Sequence, residues 1–195
     1  MNLVCFDFDG TITKDDSLLG FIAYVVGFKK FFKGVFLLSP ILILYQLGII
    51  SNNFTRQRLM IHFFGGMSQK EFDKICYKYS KTHIDGILLD SAMSKIYEHK
   101  ANGDIVCIVS ASLTDWLKPW CDEKGLDLIA TNIKKTNGII TGEIDGKNCY
   151  GNEKVTRIKS KYDLNKFDKI IAYGDSRGDK EMLEFADESY YRKFR

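Results

Sequence analysis

Proline is scarce in this 195-residue chain, which has only Pro40 and Pro119. With 16 glycines beside them, collagen-like and low-complexity structures are excluded. Histidine is also sparse. His62, His83 and His99 lie far apart with no HExxH or other close ligand spacing, which argues against a zinc hydrolase. No charge of one sign dominates. Lys and Arg number 28 and Asp and Glu 25, and a net charge of +3 is too small to imply nucleic-acid binding. Cysteine forms no CxxC pair. The five thiols (Cys5, Cys76, Cys107, Cys121 and Cys149) are an odd number and several sit in apolar runs, which suits reduced, buried cysteines in a cytoplasmic protein. The opening MNLVCFDFDG has no basic region, and Asp7 interrupts its apolar run, so it does not read as a signal peptide.

What remains is a globular composition, 45% apolar and 27% charged. The length suits one domain, or one domain carrying an insertion, with core enough to fold without disulfide or metal staples. Leu3 to Phe6 is a short apolar run that stops at Asp7 and reads as a buried parallel strand. Similar runs span Ile105 to Val109, Leu126 to Ala130 and Ile170 to Tyr173, with helical patterns at Asp115 to Lys124 and Glu153 to Tyr162. Strands alternating with helices predict an α/β domain, a three-layer Rossmann-like parallel sheet. In such sheets the ligand crevice lies beyond the carboxyl ends of the strands, so Asp7, Ser110 and Asp175 are expected to converge there. Gly138 to Asp145 has the look of a β-hairpin near the third strand.

Residues 14–85 break this alternation; they are aromatic and helical in pattern and read as a small helical cap inserted after the first strand. The core is then 1–13 with 86–195. Within the insertion, Gly34 to Thr55 carries no charge. A membrane helix needs about 20 apolar residues, so length alone is borderline. A single crossing would put Asp7 and Asp175 on opposite sides of a bilayer, and Pro40 should break a continuous helix. Two readings stand: two short cap helices with a mostly buried interface, or a greasy lid that meets lipid or an apolar substrate.

The chemistry concentrates at strand ends. Asp7-Phe8-Asp9-Gly10-Thr11 places two carboxylates at i and i+2 directly after a strand, and Gly10 permits a turn whose N–H groups face an anion. Carboxylates that close repel, so they need a cation between them or a proton on one, and an oxygen-preferring cation such as Mg²⁺ fits best. Gly174-Asp175-Ser176-Arg177-Gly178-Asp179 follows another strand. Asp179 also suits the start of a helix. Ser110-Ala111-Ser112 offers a hydroxyl and small residues for a phosphate, or an N-cap for a helix from Thr114. With no GxSxG elbow, a serine nucleophile is not indicated. Lys154, in Gly151-Asn152-Glu153-Lys154, would by itself pass for a solvated lysine.

In order, strand context and spacing, these segments resemble the four motifs of the haloacid dehalogenase superfamily, in its phosphoserine-phosphatase-like branch (subfamily IB). Asp7 to Thr11 is similar to the first motif, Ser110 to the second, Lys154 to the third, and Asp175 with Asp179 to the fourth. The resemblance implies a Mg²⁺-dependent phosphomonoester hydrolase acting on a small phosphorylated metabolite through an aspartyl-phosphate on Asp7. Asp9 would be the acid and base, and Ser110 and Lys154 would stabilise the transferring group. Gly10, Thr11 and Ala111 would line the phosphate pocket. Metal would be held by Asp7, Asp9 (through its carbonyl) and Asp175, with Asp179 beside them. Asp16 takes an acidic position that follows the first motif in that branch, and Arg56 or Arg58 would be the cap arginine that reads the substrate. The chain departs from phosphoserine phosphatases in having Ser110-Ala111-Ser112 for Ser-Gly-Gly and Gly178 for Asn. Its uncharged stretch is similar to that of bacterial phosphatidylglycerophosphate phosphatases, so the alternative is a lipid phosphate phosphatase with its cap at a membrane surface. A receiver-like or non-catalytic module is a third class, though it would need neither Asp9 nor a cap.

Overall fold

The computed structural model describes residues 1–194, so Arg195, the last position of the expected core, lies outside the described residues. In chain order the elements begin with β1 (Leu3–Phe6), α1 (Ser17–Val26), α2 (Phe28–Gln46), α3 (Asn52–Phe64), α4 (Gln69–Thr82), α5 (Ile84–Ile87) and α6 (Asp90–Ala101). They continue with β2 (Ile105–Leu113), α7 (Thr114–Lys124), β3 (Asp127–Thr136), β4 (Ile139–Asp145), α8 (Asn152–Lys161), β5 (Ile170–Gly174), α9 (Lys180–Phe185) and β6 (Glu188–Tyr191). The six strands form one sheet in the order β4-β3-β2-β1-β5-β6. Every neighbouring pair is parallel except β3–β4, which closes as an antiparallel hairpin.

The period-2 alternation of strand side chains explains why β1 is apolar throughout. Val4 and Phe6 face one layer, with Ile96 of α6 and Trp116, Leu117 and Trp120 of α7. Leu3 and Cys5 face the other, with Val155 and Ile158 of α8 and Met182 of α9. The result is the three-layer α/β arrangement. All five cysteines are free and buried. The helices between β1 and α6 join the first layer through aromatic packing. Phe21 of α1 stacks on Trp116 with ring centroids 4.4 Å apart, and Phe64, Phe72 and Tyr79 surround it.

Three expectations need correction. Pro40 does not break the chain into two short helices; α2 runs unbroken for 19 residues. A helical proline deprives the carbonyl four residues back of its donor. Here that carbonyl, of Phe36, accepts the Ser39 hydroxyl instead, at 2.7 Å. Nor is the uncharged stretch mostly buried, since within α2 only Gly34 is fully buried. Finally, β2 continues past Val109 through Ser110 to Leu113, with an irregular register against β3. Ser110 is therefore a strand residue rather than a helix cap. The hairpin near the third strand pairs β3 with β4 and turns at Asn137 and Gly138, so Gly138 to Asp145 supplies one of its two arms and is not a hairpin by itself.

At the opposite end of β2 from the site, Asp104 ties the sheet together. Its carboxylate accepts from the Asn2 amide at 2.9 Å and pairs with His99 Nδ1 at 2.9 Å, while His99 Nε2 meets the Tyr173 hydroxyl at 3.1 Å. Burial works to raise the Asp104 pKa, but His99 and the Asn2 N–H outweigh it and hold it below the usual value. With the folded pKa depressed, the stabilisation is present above the unfolded pKa and is lost as pH falls through the folded one. Asp104→Asn is expected to cost about 1–3 kcal/mol at pH 7. In urea unfolding the deficit should shrink as the pH is lowered through the aspartate range.

Candidate active site

Asp7 leaves the end of β1 with its amide bonded to the Tyr173 carbonyl of β5, at 2.9 Å. Gly10 takes φ +83°, so the chain turns back at once and brings the Asp9 carboxylate to the same strand-end region. Lys154, in the first turn of α8, is 1% exposed and reaches under this turn. Its ammonium donates to Asp7 Oδ1 at 2.6 Å, to Asp179 Oδ1 at 2.6 Å and to the Val109 carbonyl at 2.7 Å. All three N–H donors are thereby used, which a fully buried lysine requires.

Asp179 closes the arrangement from the loop after β5. Its second oxygen accepts from the amides of Asp175 at 3.2 Å and Ser176 at 2.9 Å, and from the Ser176 hydroxyl at 2.7 Å. This fold-back needs Gly174, where an added Cβ would lie 2.6 Å from Cβ of Asp179. Thr11 sits behind Asp7 and its hydroxyl approaches Asp7 Oδ2 at 3.4 Å. Asp9 faces elsewhere: one oxygen accepts the Ser17 amide at 2.7 Å and the other the Ser112 hydroxyl, with the Ser17 and Ser112 hydroxyls 2.9 Å apart.

Charge explains the electrostatics. Burial, assisted by the charges of Asp179 and Asp9, outweighs Lys154 and pushes the Asp7 pKa up to about 8. Burial, followed by the charge of Asp16, raises Asp9. Asp179 is buried too, but the Lys154 ammonium and the Ser176 donors win and hold it low. Burial disfavours the Lys154 cation, yet Asp7 and Asp179 raise its pKa overall. One carboxylate oxygen each of Asp7, Asp175 and Asp179 lie within 4.8 Å of one another. A divalent ion among these oxygens would offset the repulsion between carboxylates held this close. The donors are all hard oxygens, as such an ion prefers. The side chain of Asp9 is not in that cluster.

A cavity of about 440 Å³ opens over these groups. Asp7, Asp9, Gly10, Ser110, Ala111, Lys154, Asp175 and Asp179 all line it. So do Asp16, which also caps α1 by accepting from the Leu18 and Leu19 amides, and Arg56 of α3. Arg58 instead lies over the Phe54 ring, 5.0 Å from its centroid. The sequence reading missed Tyr45, Asn52, Tyr150 and Arg177, which with Ser176 and Gly178 complete the wall. It also missed the holding of Asp9 by Ser17 and Ser112. The Ser110-Ala111-Ser112 alternation, two hydroxyls on one strand face, was the available signal.

The chain is similar to known proteins. The family model for haloacid dehalogenase-like hydrolases matches residues 4–184. Protein CicA of Caulobacter vibrioides is 34% identical over 199 aligned positions, spanning 99% of this chain and 86% of CicA. Among solved structures, a protein of unknown function from Bordetella pertussis Tohama I is similar with a TM-score of 0.82, at 23% identity over 96% of this chain and 88% of that one. A phosphoserine phosphohydrolase-like protein from Francisella tularensis is similar with a TM-score of 0.68, at 22% identity over 95% and 83% of the two chains. On the match across nearly its whole length and the kinship to CicA, the chain belongs to the haloacid dehalogenase-like hydrolases, with the phosphoserine-phosphatase-like form of that fold.

Proposed function

We propose that the protein is a Mg²⁺-dependent phosphatase that hydrolyses a small phosphomonoester through an aspartyl-phosphate. The observation that carries this reading is the placement of Asp7, Asp9, Ser110 and Lys154 around one cavity, with Asp175 and Asp179 at its base. Asp7, Asp175 and the carbonyl of Asp9 would hold the metal, with Asp179 beside them. Its charge would offset the repulsion between the Asp7 carboxylate and an incoming phosphate dianion.

In the first step an Asp7 oxygen attacks phosphorus, the P–O ester bond breaks, and the departing alkoxide takes the proton of the Asp9 carboxyl. In the second, Asp9, now a carboxylate, takes a proton from water as the water attacks phosphorus. The bond from Asp7 to phosphorus breaks, inorganic phosphate leaves, and both side chains return to their starting states. Lys154 and the Ser110 hydroxyl stabilise the charge on the phosphoryl oxygens, where catalysis of this transfer concentrates. Residues 14–85 serve as the cap over a core of 1–13 and 86 onward, bringing Asp16 and Arg56 to the substrate's leaving group. Arg56 rather than Arg58 is the cap arginine, since it is the one at the cavity.

Phosphate release from an aryl phosphate tests the reading. Chelation of divalent ions should lower the rate at least about 100-fold, and Mg²⁺ should restore it. Undiminished release in chelator would contradict it. Ser112→Ala removes one of the two bonds that orient Asp9, and kcat should fall about tenfold with KM little changed. An effect on KM alone would mean that Ser112 shapes the pocket and does not position Asp9.

A further inference from the structure

Helix α2 turns a second apolar face to solvent. Phe28, Phe32, Phe36, Pro40, Ile43 and Leu47 recur at steps of three or four residues, which places them on one stripe. Phe32 is 65% exposed and Phe36 81%. The inward face of the helix is already occupied: Gly34 is buried against Phe63, and Phe31 stacks on the same ring at 6.3 Å. A water-facing helix ordinarily carries polar residues on its outer side.

Charge around the stripe has one sign. From Ser17 to Lys70 the chain contains no Asp or Glu, while Lys29, Lys30 and Lys33 stand at the N-terminal end of α2. A crevice of about 230 Å³ beside the stripe combines Lys30, Lys33 and His62 with Leu37 and Phe63. At its other end the apolar surface continues into exposed Leu47 and Ile49, next to Tyr45 and Asn52 at the wall of the active-site cavity.

We propose that the outer face of α2 docks on the surface of an anionic lipid bilayer. The helix lies in the interface, the phenylalanine stripe enters the acyl boundary, and the three lysines meet the headgroups. Basic residues flanking an apolar stripe are the features such a helix needs. No helix among the described residues is long and apolar enough to cross a membrane. A second copy of the chain is a poorer complement, because it would present another acid-free, lysine-bearing face. The docking stands on the surface of α2 and does not depend on the phosphatase reading, although it would set the cavity mouth close to lipid.

Co-sedimentation tests it with vesicles of phosphatidylserine and phosphatidylcholine in equal parts, and of phosphatidylcholine alone. The protein should pellet with the mixed vesicles, less so at high salt, and weakly with the neutral ones. Phe32→Ser with Phe36→Ser, and separately Lys29→Glu with Lys30→Glu and Lys33→Glu, should each reduce partitioning at least about tenfold. Both variants should keep the wild-type melting temperature and the wild-type rate on a soluble aryl phosphate without vesicles. Wild-type protein that stays in the supernatant, or variants that partition like wild type, would overturn the proposal. So would a wild-type dimer that the phenylalanine variant dissociates.

Discussion

Asp7→Asn is expected to lower kcat by at least about 10⁴-fold, the scale on which covalent nucleophiles are lost. The amide keeps the shape of the carboxylate but cannot attack phosphorus. The fold should survive. Asp7 is 6% exposed and its pKa is pushed up to about 8, so its charge is a burden on the metal-free protein. Removing that charge relieves repulsion from Asp179 and Asp9, while Lys154 keeps Asp179 and the Val109 carbonyl. The metal-free variant should therefore melt no lower than wild type, as read by thermal unfolding in chelator. Retained turnover would remove Asp7 from the nucleophile's role.

Lys154→Met should fail in both respects, which separates it from the first variant. Without the ammonium, the carboxylate of Asp179, which Lys154 holds ionised, is left in a buried site with no cation facing it. Breaking a buried pair from one side costs about 3–5 kcal/mol, and urea unfolding in chelator should show a loss of that size. Activity should fall as well, by about 100- to 1,000-fold in kcat, the range for deleting one preorganised stabiliser of transition-state charge. A variant as stable as wild type would mean that Asp179 does not depend on Lys154 for its charge. A variant of unchanged kcat would mean that Lys154 supports the fold alone.

The parts of this site differ in how far local sequence betrays them. Asp7 and Asp175 were legible because each ends a run of buried apolar residues, where an isolated acid is costly. Lys154 was not legible that way. Polar Asn152 and Glu153 precede it, and its 1% exposure arises only when α8 packs beneath β1 and β2. It was found through the four-motif resemblance. The contact between Ser17 and Ser112 joins residues 95 positions apart and leaves no local mark. Pro40 shows the reverse case, a strong local rule overridden locally, since the Ser39 hydroxyl supplies the donor that the proline removes. The uncharged stretch misled because composition records apolarity and not direction. The same phenylalanines would read alike facing a core or facing solvent. β6 escaped notice since its Glu188, Ser189, Tyr190 and Tyr191 form a short, half-exposed edge strand with little apolar signal.

Trapping the intermediate tests the central claim most directly. Borohydride added during turnover of an aryl phosphate with Mg²⁺ reduces an acyl phosphate to the alcohol. Peptide mass spectrometry then locates the altered side chain. The account predicts that Asp7 is converted to homoserine, only when substrate is present, and that Asp9, Asp175 and Asp179 are untouched. Phosphate release with Asp7 unmodified, or reduction at another carboxylate, would contradict it.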